Sequence, residues 1–425
     1  MNGQKKFDAS VCVLTAGRDR HYSLGLATAL LAAGVNFDFI GGDESESPEL
    51  LQSPQVNFLN LRGEQSAGAN LLQKIWRVLR YYFRLLGYAA AAKPKIFHIL
   101  WNNKFELFDR TLLMVYYKWL GKKIALTAHN VNIGKRDGCD SFLNRVSLKI
   151  QYRLCDRIFV HTVKMKDELV SDFGISDDKI VLIPFGLNNA VPDTDLTGAK
   201  ARRRLGLREN KKIILFFGGI APYKGLEFLT EAFSEAAKSD PLVRLIIAGA
   251  PKGSKNYWEH IRQKIARSRW HDYIIQKIEY ISDTETEMYF KAADVLILPY
   301  NHIFQSGVLF LAYSFGLPVI ATDVGSLRDE IVEGKTGLVV EPKNAAALAG
   351  AIQNYFKSDL YHQLEARRRE IRDFANEKYS WSKVAAITTA TYSELLHEEE
   401  FPSPLLEAEK KHEAFGLHSH PGLQR

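Results

Sequence analysis

Cysteine is scarce in this sequence of 425 residues, and long apolar runs are missing from it. The three cysteines, Cys12, Cys139 and Cys155, are too few and too widely spaced for a disulfide framework or a CxxC metal site. No stretch approaches the ~20 consecutive apolar residues that a membrane-spanning helix needs, and residues 1–8 are polar rather than signal-like. These absences argue against a disulfide-stabilised domain and against an integral membrane protein. We therefore expect a cytoplasmic protein.

Acidic residues are scarce in one part of the chain only. Residues 62–166 hold 20 lysines and arginines against 6 aspartates and glutamates, whereas residues 191–425 hold 31 of each kind. A basic segment of this size indicates an anionic partner, such as a phosphorylated acceptor, a lipid surface or a nucleic acid. The alternative is a solvated basic face without a specific partner. Because the aromatic residues here follow a helical spacing and form no RNA-binding signature, we expect no nucleic-acid partner.

Short β-branched runs alternate with amphipathic stretches along most of the chain. This alternation predicts an α/β protein with two doubly wound domains, each a mainly parallel sheet covered by helices on both faces. The predicted strands of the first half are 10–15, 35–40, 95–100, 123–127, 157–161 and 179–183. Those of the second half are 212–217, 243–248, 273–277, 294–298, 318–321 and 337–340. Residues 341–396 are predicted to be helical.

The same pattern predicts the domain boundaries. We assign an N-terminal domain to residues 1–187, a linker to 188–210 and a C-terminal domain to 211–375. A helix over 376–396 is predicted to return to the N-terminal domain, and the tail over 397–425 is predicted to be poorly ordered. Since parallel sheets bind ligands at the carboxyl ends of their strands, two such domains predict a ligand cleft between them.

The strongest local motif spans residues 216–227, Phe-Phe-Gly-Gly-Ile-Ala-Pro-Tyr-Lys-Gly-Leu-Glu. A predicted strand ends in Gly218 and Gly219, and a helix is predicted to begin near Lys224. Glycines let backbone N–H groups approach a phosphate, and a helix N-terminus adds partial positive charge. Lys224 adds a full charge that can neutralise a diphosphate leaving group. A plain strand-to-helix turn with a surface lysine is the alternative, and the spacing of a Walker loop is absent.

A second motif begins at the strand over 294–298 and continues to residue 320. The strand ends at Pro299, and a loop runs to Ser306, which is a natural helix N-cap. The helix start at Ser306, Gly307, Val308 and Leu309 offers free backbone N–H groups and so predicts a second anion site. Two anion sites that face one crevice suit a diphosphate, although structural capping alone would also account for this motif.

Both motifs, with residues 322–329 and 334–338, resemble the C-terminal half of the family 4 retaining glycosyltransferases, which have the GT-B fold. The first half resembles that family more loosely, through Thr-Ala-His-Asn at 127–130 and Ile-Pro-Phe-Gly at 183–186. The resemblance covers roughly residues 8–396. It implies two Rossmann-like domains that face each other across a cleft. The N-terminal domain is then the acceptor side, and the C-terminal domain binds a nucleotide sugar.

The resemblance also implies roles for single residues. Lys224 matches the lysine that contacts the donor diphosphate, and Gly218 and Gly219 lie in the loop beside that diphosphate. Ser306, Gly307, Val308 and Leu309 match the helix start that binds the other side of the donor diphosphate in the family.

Further positions follow from the same resemblance. Tyr280 lies where the nucleotide base packs, and Gly17 lies in the loop where the first domain closes over the diphosphate. His129 matches an active-site histidine near the transferred sugar and the acceptor. We assign catalytic roles to His129, Lys224 and Gln305.

Two positions depart from the family pattern. Family members commonly carry an arginine five residues before the lysine, and Gly219 stands there in this sequence. They also carry a pair of glutamates around the second helix start, whereas this chain has a Gln-Ser-Gly-Val-Leu segment from Gln305. Gln305 can hydrogen-bond a sugar hydroxyl but accepts less strongly than a carboxylate. The identity of the donor sugar is therefore open.

The implied function is metal-independent transfer of a sugar with retention of its anomeric configuration. The donor is a nucleotide-diphosphate sugar, and the acceptor is a glycan or a lipid-linked diphosphate in cell-surface polysaccharide or glycolipid assembly. No cofactor is expected, because Lys224 and helix N-termini stabilise the departing diphosphate. Two alternatives stay open. They are a nucleotide-sugar epimerase, which needs acid–base carboxylates, and a catalytically idle subunit that binds a partner.

Residues 70–92 combine apolar and basic side chains in a helical pattern. One stripe is apolar and consists of Leu71, Leu72, Ile75, Trp76, Leu79, Tyr82, Phe83 and Leu86. The basic residues lie largely off this stripe. Packing of the helix on its own sheet accounts for the pattern, and so does attachment to a membrane surface. With the local excess of positive charge, we expect peripheral attachment at the anionic inner face of the plasma membrane.

Overall fold

The computed structural model describes residues 11–17, 19–63, 70–136, 139–188, 191–253 and 255–396. Its centre is a pair of parallel β-sheets, one of seven strands and one of six, with helices around them. The α/β prediction of two doubly wound domains is confirmed. The tail over 397–425 lies outside the described residues.

The first sheet belongs to the N-terminal domain. Its strands are β1 (Val11–Leu14), β2 (Phe37–Ile40), β3 (Val56–Leu59), β4 (Ile96–Ile99), β5 (Lys123–Ala128), β6 (Arg157–Val160) and β7 (Ile180–Leu182). Its helices are α1 (Arg20–Ala32), α2 (Pro48–Gln52), α3 (Leu71–Ala91), α4 (Glu106–Arg110), α5 (Leu112–Trp119), α6 (Ile133–Arg136), α7 (Phe142–Leu154) and α8 (Val163–Phe173). The sequence pattern does not predict β3, because its side chains are half-buried or exposed rather than continuously apolar.

The second sheet belongs to the C-terminal domain. Its strands are β8 (Lys212–Phe217), β9 (Val243–Ala248), β10 (Ile274–Lys277), β11 (Val295–Leu298), β12 (Val319–Thr322) and β13 (Gly337–Val340). The helices are α9 (Gly198–Arg204), α10 (Leu226–Ser239), α11 (Lys255–Arg267), α12 (Asp283–Ala292), α13 (Gly307–Ser314), α14 (Leu327–Glu330), α15 (Ala345–Tyr355), α16 (Asp359–His362), α17 (Leu364–Tyr379) and α18 (Trp381–Leu396). All six strands fall within one residue of their predicted bounds.

The strand order places one switch point in each sheet. The first sheet runs β3-β2-β1-β4-β5-β6-β7, and the second runs β10-β9-β8-β11-β12-β13. Strands are therefore added first on one side of β1 and then, from β4 onward, on its other side. The same change of side occurs between β8 and β11. The loops that leave neighbouring strands at such a point separate and open a crevice, in which ligands of parallel sheets bind.

The two connections between the domains run side by side and are joined by Trp381. The Leu187 N–H donates to the Tyr379 carbonyl (3.1 Å), and the indole N–H of Trp381 donates to the Leu187 carbonyl (2.7 Å). The indole fits there because two glycines leave room. A Cβ would lie 2.2 Å from a Trp381 ring atom at Gly25 and 2.6 Å from one at Gly186.

Helix α18 completes the core of the N-terminal domain. Val384, Tyr392 and Leu395 lie in the same apolar cluster as residues of β1, β2 and α1. His98 on β4 adds a polar contact, because its ring nitrogens lie 2.6 Å from the Tyr392 hydroxyl and 2.7 Å from the Thr127 hydroxyl. Burial lowers the pKa of His98 to about 3, so the ring is neutral near pH 7 and serves as one donor and one acceptor.

The segment predicted as a linker is only partly irregular. Helix α9 lies within it and packs against α12. Arg202 of α9 pairs with the buried carboxylate of Asp294 (2.6 Å) and donates to the Ala292 carbonyl (2.9 Å). Since a buried carboxylate without a partner is costly, this pair holds the second part of the segment on the C-terminal domain.

Helix α3 does not pack its predicted apolar stripe on the sheet. Leu72, Ile75, Trp76, Leu79 and Phe83 are exposed, and Phe83 reaches 81% exposure. The buried face is formed by Tyr81, Leu85 and Ala89, together with Tyr82 of the predicted stripe. The packing interpretation is therefore wrong for most of the stripe, because the helix is rotated about its axis relative to that prediction. No helix in the described ranges is both long and apolar enough to cross a membrane.

The neutral buried histidines predict a loss of stability in acid. The pKa of His98 is lowered to about 3 and that of His161 to about 4, so the unfolded chain binds more protons below about pH 6.5. Each histidine should then lower the free energy of unfolding by roughly 1.4 kcal/mol per pH unit between about pH 6 and its folded pKa. Chemical denaturation at several pH values measures this slope.

The matched variant is His98→Gln. It should be less stable at pH 7, since it loses ring hydrogen bonds, but its stability should fall less steeply with acid, by roughly 1.4 kcal/mol per pH unit. Equal slopes for the variant and the unmodified chain would contradict the assignment.

Candidate active site

The carboxyl ends of the two sheets face a common cleft. A cavity of ≈ 500 Å³ lies between the domains, which is within the range of small-molecule sites. The loops after β1 and β4 border it on one side, and the loops after β8 and β11 border it on the other. Of the predicted site residues, the cavity is lined by His129, Lys224, Tyr280, Gln305, Ser306, Gly307 and Val308.

Lys224 is a buried cation that faces this cavity. It ends a short 3-10 turn, Pro222–Lys224, and α10 begins two residues later, so the lysine precedes the predicted helix rather than opening it. Its exposure is 7%, and its Nζ atom lies 5.1 Å from the centre of the Tyr300 ring. Nζ forms no hydrogen bond or ion pair with a described residue, and desolvation lowers the Lys224 pKa. An anionic ligand would compensate this charge.

The lack of a side chain at Gly218 leaves room for the ammonium group of Lys224. The φ of Gly218 is 99°, which favours glycine, and a Cβ there would lie 3.2 Å from Lys224 Nζ. Gly249, in the loop after β9, must also lack a side chain, because its Cβ would lie 2.0 Å from the Gly218 carbonyl oxygen. The backbone around Lys224 is therefore closely packed, and the cation is held in one place.

The two predicted anion motifs are bonded to each other. A Cβ at Gly225, whose φ is 62°, would lie 2.0 Å from the Pro299 carbonyl oxygen. The Asn301 N–H donates to the Tyr223 carbonyl (2.7 Å), and the Asn301 amide donates to the Pro222 carbonyl (3.2 Å). The loops after β8 and β11 thus form one unit, as expected for neighbouring parallel strands at a switch point.

The start of α13 supplies fewer free N–H groups than predicted. The Leu309 N–H donates to the Ser306 carbonyl (3.0 Å), and the Leu309 side chain is fully buried. The Leu309 N–H is therefore already used within the turn, and the role of Leu309 as an anion ligand stays a prediction. The N–H groups of Gly307 and Val308 have no partner among the described residues. Ser306 is the N-cap but does not cap with its side chain, whose hydroxyl lies 3.4 Å from that of Tyr300.

Gln305 is oriented by a buried carboxylate. Its Nε2 atom lies 3.5 Å from Glu330 Oε1, and its Oε1 atom has no partner among the described residues. Glu330 accepts hydrogen bonds from the Tyr379 hydroxyl and from Lys378 Nζ (3.2 Å), both at the end of α17. The arrangement leaves the carbonyl oxygen of Gln305 as an acceptor beside the cavity.

A second lysine lies near the position of the missing arginine. A Cβ at Gly219 would lie 3.4 Å from Lys252 Cβ and 3.6 Å from Lys252 Cδ. Lys252 lines the cavity, is exposed and forms no ion pair with a described residue. Sequence reasoning missed it, because the loop after β9 carries no recognisable motif and only the sheet order brings it beside the loop after β8.

The outer part of the cavity has an exposed aromatic ring and a contact between the domains. Tyr280 lines the cavity and is 79% exposed, so its ring is available for stacking. The nearby carboxylate of Asp283 lies 3.7 Å from Arg20 and 3.4 Å from His21, both in the N-terminal domain. This contact joins the two domains beside the position predicted for the nucleotide base.

The loop after β1 is strained but does not place Gly17 in the cavity. Ala16, Gly17 and Asp19 have φ values of 52°, 62° and 38°, and positive φ is costly for a residue with a side chain. Arg62 donates to the Ala16 carbonyl and helps to hold this conformation. Asp19 lines the cavity, whereas Gly17 is not among its lining residues.

His129 lies in a stack of aromatic rings. Trp101, from the loop after β4, stacks on it at 4.2 Å and 7°, and Tyr22 meets it edge-on at 4.5 Å and 87°. Its Nδ1 atom lies 3.1 Å from His161 Nε2, and His161 Nδ1 lies 3.2 Å from the Ile183 carbonyl oxygen. Burial lowers the pKa of both histidines, that of His161 to about 4.

The carboxylates around the cavity are few. Of the described residues that line it, Asp19 and Asp283 are acidic. Asp19 accepts a hydrogen bond from the Tyr22 N–H (3.2 Å), and Asp283 has the partners given above. In the ranges that the structure describes, no three or more His, Cys, Asp and Glu side chains are grouped so as to hold a metal ion.

Two family models match most of the chain. Residues 21–190 match a model described as Glycosyltransferase Family 4, and residues 211–358 match one described as Glycosyl transferases group 1. The first match lies in the N-terminal domain, and the second lies in the C-terminal domain. They support the resemblance to family 4, whereas the finer Gln-Ser-Gly-Val-Leu subgroup stays a prediction.

Individual proteins resemble the chain in sequence or in fold. D-inositol 3-phosphate glycosyltransferase of Pseudarthrobacter chlorophenolicus is 31% identical over 247 residues, 57% of this chain and 57% of that protein. The chain therefore spans little more than half the length of this curated relative. Sucrose-phosphate synthase from Thermosynechococcus elongatus matches with a TM-score of 0.71 at 20% identity, over 92% of this chain and 100% of that chain.

A further fold match is HepE from Anabaena, in complex with UDP and glucose. Its TM-score is 0.69 at 15% identity, over 90% of this chain and 99% of that chain. At these identities the two structures support the fold alone. They confirm the GT-B arrangement of two Rossmann-like domains with additional helices.

The unpaired ammonium predicts that one substitution stabilises the empty protein. Lys224→Met should raise the free energy of unfolding by about 1 kcal/mol, because it removes a buried charge without a partner and keeps an unbranched side chain of similar length. Chemical denaturation without ligand measures the change.

Lys212→Met is the matched control. Lys212 pairs with Asp240 at 2.7 Å, so this variant should lower the free energy of unfolding. If Lys224→Met destabilises the chain as much as Lys212→Met does, Lys224 has a structural partner and the site is not poised for an anion.

Proposed function

Because one glycosyltransferase model matches each domain, we propose that the chain is a family 4 glycosyltransferase, which transfers a sugar from a nucleotide-sugar donor to an acceptor that carries phosphate. The transfer retains the anomeric configuration and serves the assembly of a cell-surface polysaccharide or glycolipid. The observation that carries this proposal is Lys224, a buried and unpaired cation between two glycine-rich turns. The donor binds mainly to the C-terminal domain, and the acceptor binds to the basic N-terminal domain.

The donor diphosphate fits between the loop after β8 and the start of α13. Lys224 offers a full positive charge, and the N–H groups of Gly307 and Val308 add donors at a helix N-terminus. Lys252 adds a second full charge beside Gly219. Tyr280 offers a ring on which the base stacks. HepE is in complex with UDP, so UDP-sugars are the first donors to test.

The same charges support departure of the diphosphate without a metal ion. As the bond between the sugar and the diphosphate breaks, negative charge grows on the leaving group, and preorganised cations and N–H groups stabilise it there. An inverting reaction needs a base that activates the acceptor on the opposite face of the sugar. Among the described residues that line the cavity, neither carboxylate is free for this role, since Asp19 caps α1 and Asp283 pairs with Arg20. The imidazole of His129 also lines the cavity, so the proposal of retention depends on the resemblance to family 4.

A cationic pocket beside the cleft supports an acceptor with phosphate. The pocket encloses ≈ 100 Å³ and is lined by Arg62, Lys74, Arg77, Val78, Tyr81, Tyr82, Asn103 and Lys104. Lys74, Arg77 and Lys104 form no ion pair with a described residue. Arg62 reaches from this pocket to the Ala16 carbonyl in the loop after β1, so the pocket adjoins the cleft. The inositol phosphate in the name of the curated relative also contains a phosphate.

An exposed apolar face supports attachment to a membrane surface. Its side chains are Leu72, Ile75, Trp76, Leu79 and Phe83 of α3, Phe105 and Leu107 near α4, Leu112, Val115 and Trp119 of α5, and Phe142 and Leu143 of α7. Helices α4, α5 and α7 contact one another, and Tyr82 of α3 stacks on Phe105, so these side chains belong to neighbouring elements. Contiguous exposed apolar area marks interaction surfaces in soluble domains. The unpaired cations of α3 border it, and such a mixture suits the interface of an anionic bilayer. The phosphate of a lipid-linked acceptor would then lie beside the cationic pocket.

The donor site predicts slow donor hydrolysis that depends on Lys224. In a panel of UDP-, GDP- and ADP-sugars without added metal, one donor should release its nucleotide. Lys224→Ala should lower kcat/KM about 10²- to 10³-fold, as the loss of one transition-state donor does elsewhere. Lys252→Ala should lower it about tenfold, because its charge is exposed and more screened.

Lys238→Ala is the control for these variants. Lys238 is an exposed lysine of the same domain and should leave the rate unchanged. A rate that does not respond to Lys224, or that requires a divalent cation, would argue against this donor site.

The exposed face predicts binding to anionic vesicles. The chain should co-sediment with phosphatidylglycerol vesicles and not with phosphatidylcholine vesicles, because both charge and apolar area contribute. Trp76→Ala with Phe83→Ala should lower the bound fraction severalfold. Leu51→Ala, at an exposed leucine of α2 outside the face, should leave it unchanged. Equal recovery with both vesicle types would contradict the proposal.

A further inference from the structure

Two histidines and a backbone carbonyl form a chain of hydrogen bonds at the cleft. The chain runs from the Ile183 carbonyl to His161 and then to His129, with separations of 3.2 Å and 3.1 Å. Ile183 belongs to the Ile-Pro-Phe-Gly segment that follows β7. His129 Nε2 has no partner among the described residues, although the atom is buried.

The direction of these hydrogen bonds follows from the carbonyl. A carbonyl oxygen only accepts, so His161 Nδ1 must carry the proton and donate. A neutral imidazole has a single N–H, which leaves His161 Nε2 as an acceptor. The hydrogen bond to His129 then requires the proton on His129 Nδ1. By elimination, His129 Nε2 carries a free lone pair.

We propose that His161 is a positioning residue that fixes His129 in the Nδ1–H tautomer, so that His129 Nε2 accepts a hydrogen bond from a substrate hydroxyl. Trp101 on one face of the ring and Tyr22 at its edge prevent the ring from turning over. The inference rests on the proposed function for the role of His129 in the cleft, but the tautomer itself does not depend on any activity.

The tautomer decides the direction of the hydrogen bond between His129 and the substrate. A lone pair at Nε2 accepts the hydrogen of a sugar or acceptor hydroxyl, whereas an N–H at that atom would donate to the oxygen of a hydroxyl or a phosphate. Free histidine side chains in water favour the Nε2–H form, so the protein holds the less common one. A wrong tautomer can lower activity strongly even when the geometry of the site is intact.

The tautomer is measurable without substrate. In the full chain labelled with ¹⁵N-histidine, long-range proton–nitrogen correlation distinguishes a protonated ring nitrogen from a bare one, and His129→Gln assigns the His129 signals. We expect a protonated Nδ1 and a bare Nε2 in the unmodified protein. A protonated Nε2 would overturn the proposal whatever the enzyme does.

Two variants of His161 test the cause. His161→Leu removes the acceptor, so His129 should shift toward the Nε2–H form, and kcat/KM for donor turnover should fall about tenfold or more. His161→Gln is the matched control, because its side-chain oxygen replaces Nε2 as the acceptor and should preserve both the tautomer and most of the rate. Retention of the Nδ1–H form in His161→Leu would overturn the proposal.

The inhibition constant of free nucleotide separates this role from a loss of fold. The nucleotide is assigned to the C-terminal domain, so the inhibition constant should be unchanged in His161→Leu while kcat/KM falls. A rise in the inhibition constant by the same factor as the fall in kcat/KM would show a general structural effect and overturn the positioning role. If no donor is turned over by any form, the proposed function fails, but the tautomer measurement still decides the inference.

Discussion

The packing of one indole decides how the two domains face each other. Trp381 fills the space beside Gly25 and Gly186 and bonds to the Leu187 carbonyl, so the outgoing and returning connections form a single crossing. From this crossing, Phe185 extends into the interface and stacks on Phe310 of α13 at 5.2 Å. The alignment of His129 with the start of α13 therefore depends on a contact outside the cleft, and a side chain at either glycine would displace the indole from this crossing.

The cleft concentrates positive charge that the protein itself does not neutralise. Lys224 and Lys252 have no ion-pair partner among the described residues, and the cationic pocket around Arg77 is similarly unpaired. A protein selected for stability alone would pair or remove such charges. The compact packing around Gly218 and Gly249 keeps Lys224 buried, although an unpaired buried charge lowers the free energy of unfolding. The free energy of binding an anionic ligand offsets this loss of stability.

Much of the fold could be predicted from sequence, since buried parallel strands form continuous apolar runs. The edge strand β3 could not, because half of its surface faces water and its pattern is mixed. Likewise, glycine spacing indicated the site around Lys224, whereas only strand order makes Lys252 a neighbour of that site and His161 a neighbour of His129. The hydrogen bond at Leu309 could not be predicted either, because the sequence motif does not show that the N–H of Leu309 bonds to the Ser306 carbonyl within the turn. The rotation of α3 depends on which face the neighbouring helices cover, and helical periodicity does not report that.

The groups assigned to the donor and those assigned to the acceptor lie in different halves of the chain, which affects the substitutions that each half tolerates. The groups assigned to the diphosphate lie between residues 218 and 308, while the cationic pocket and the exposed face lie between residues 62 and 143. The halves are covalently joined only where the crossing at Trp381 lies. A substitution in the binding surface of one half therefore leaves the binding surface of the other half in place, so the acceptor side can change while the donor side is kept. The two halves are in this sense separable modules, and Gly25 and Gly186 beside Trp381 are positions at which neither half has room for a side chain.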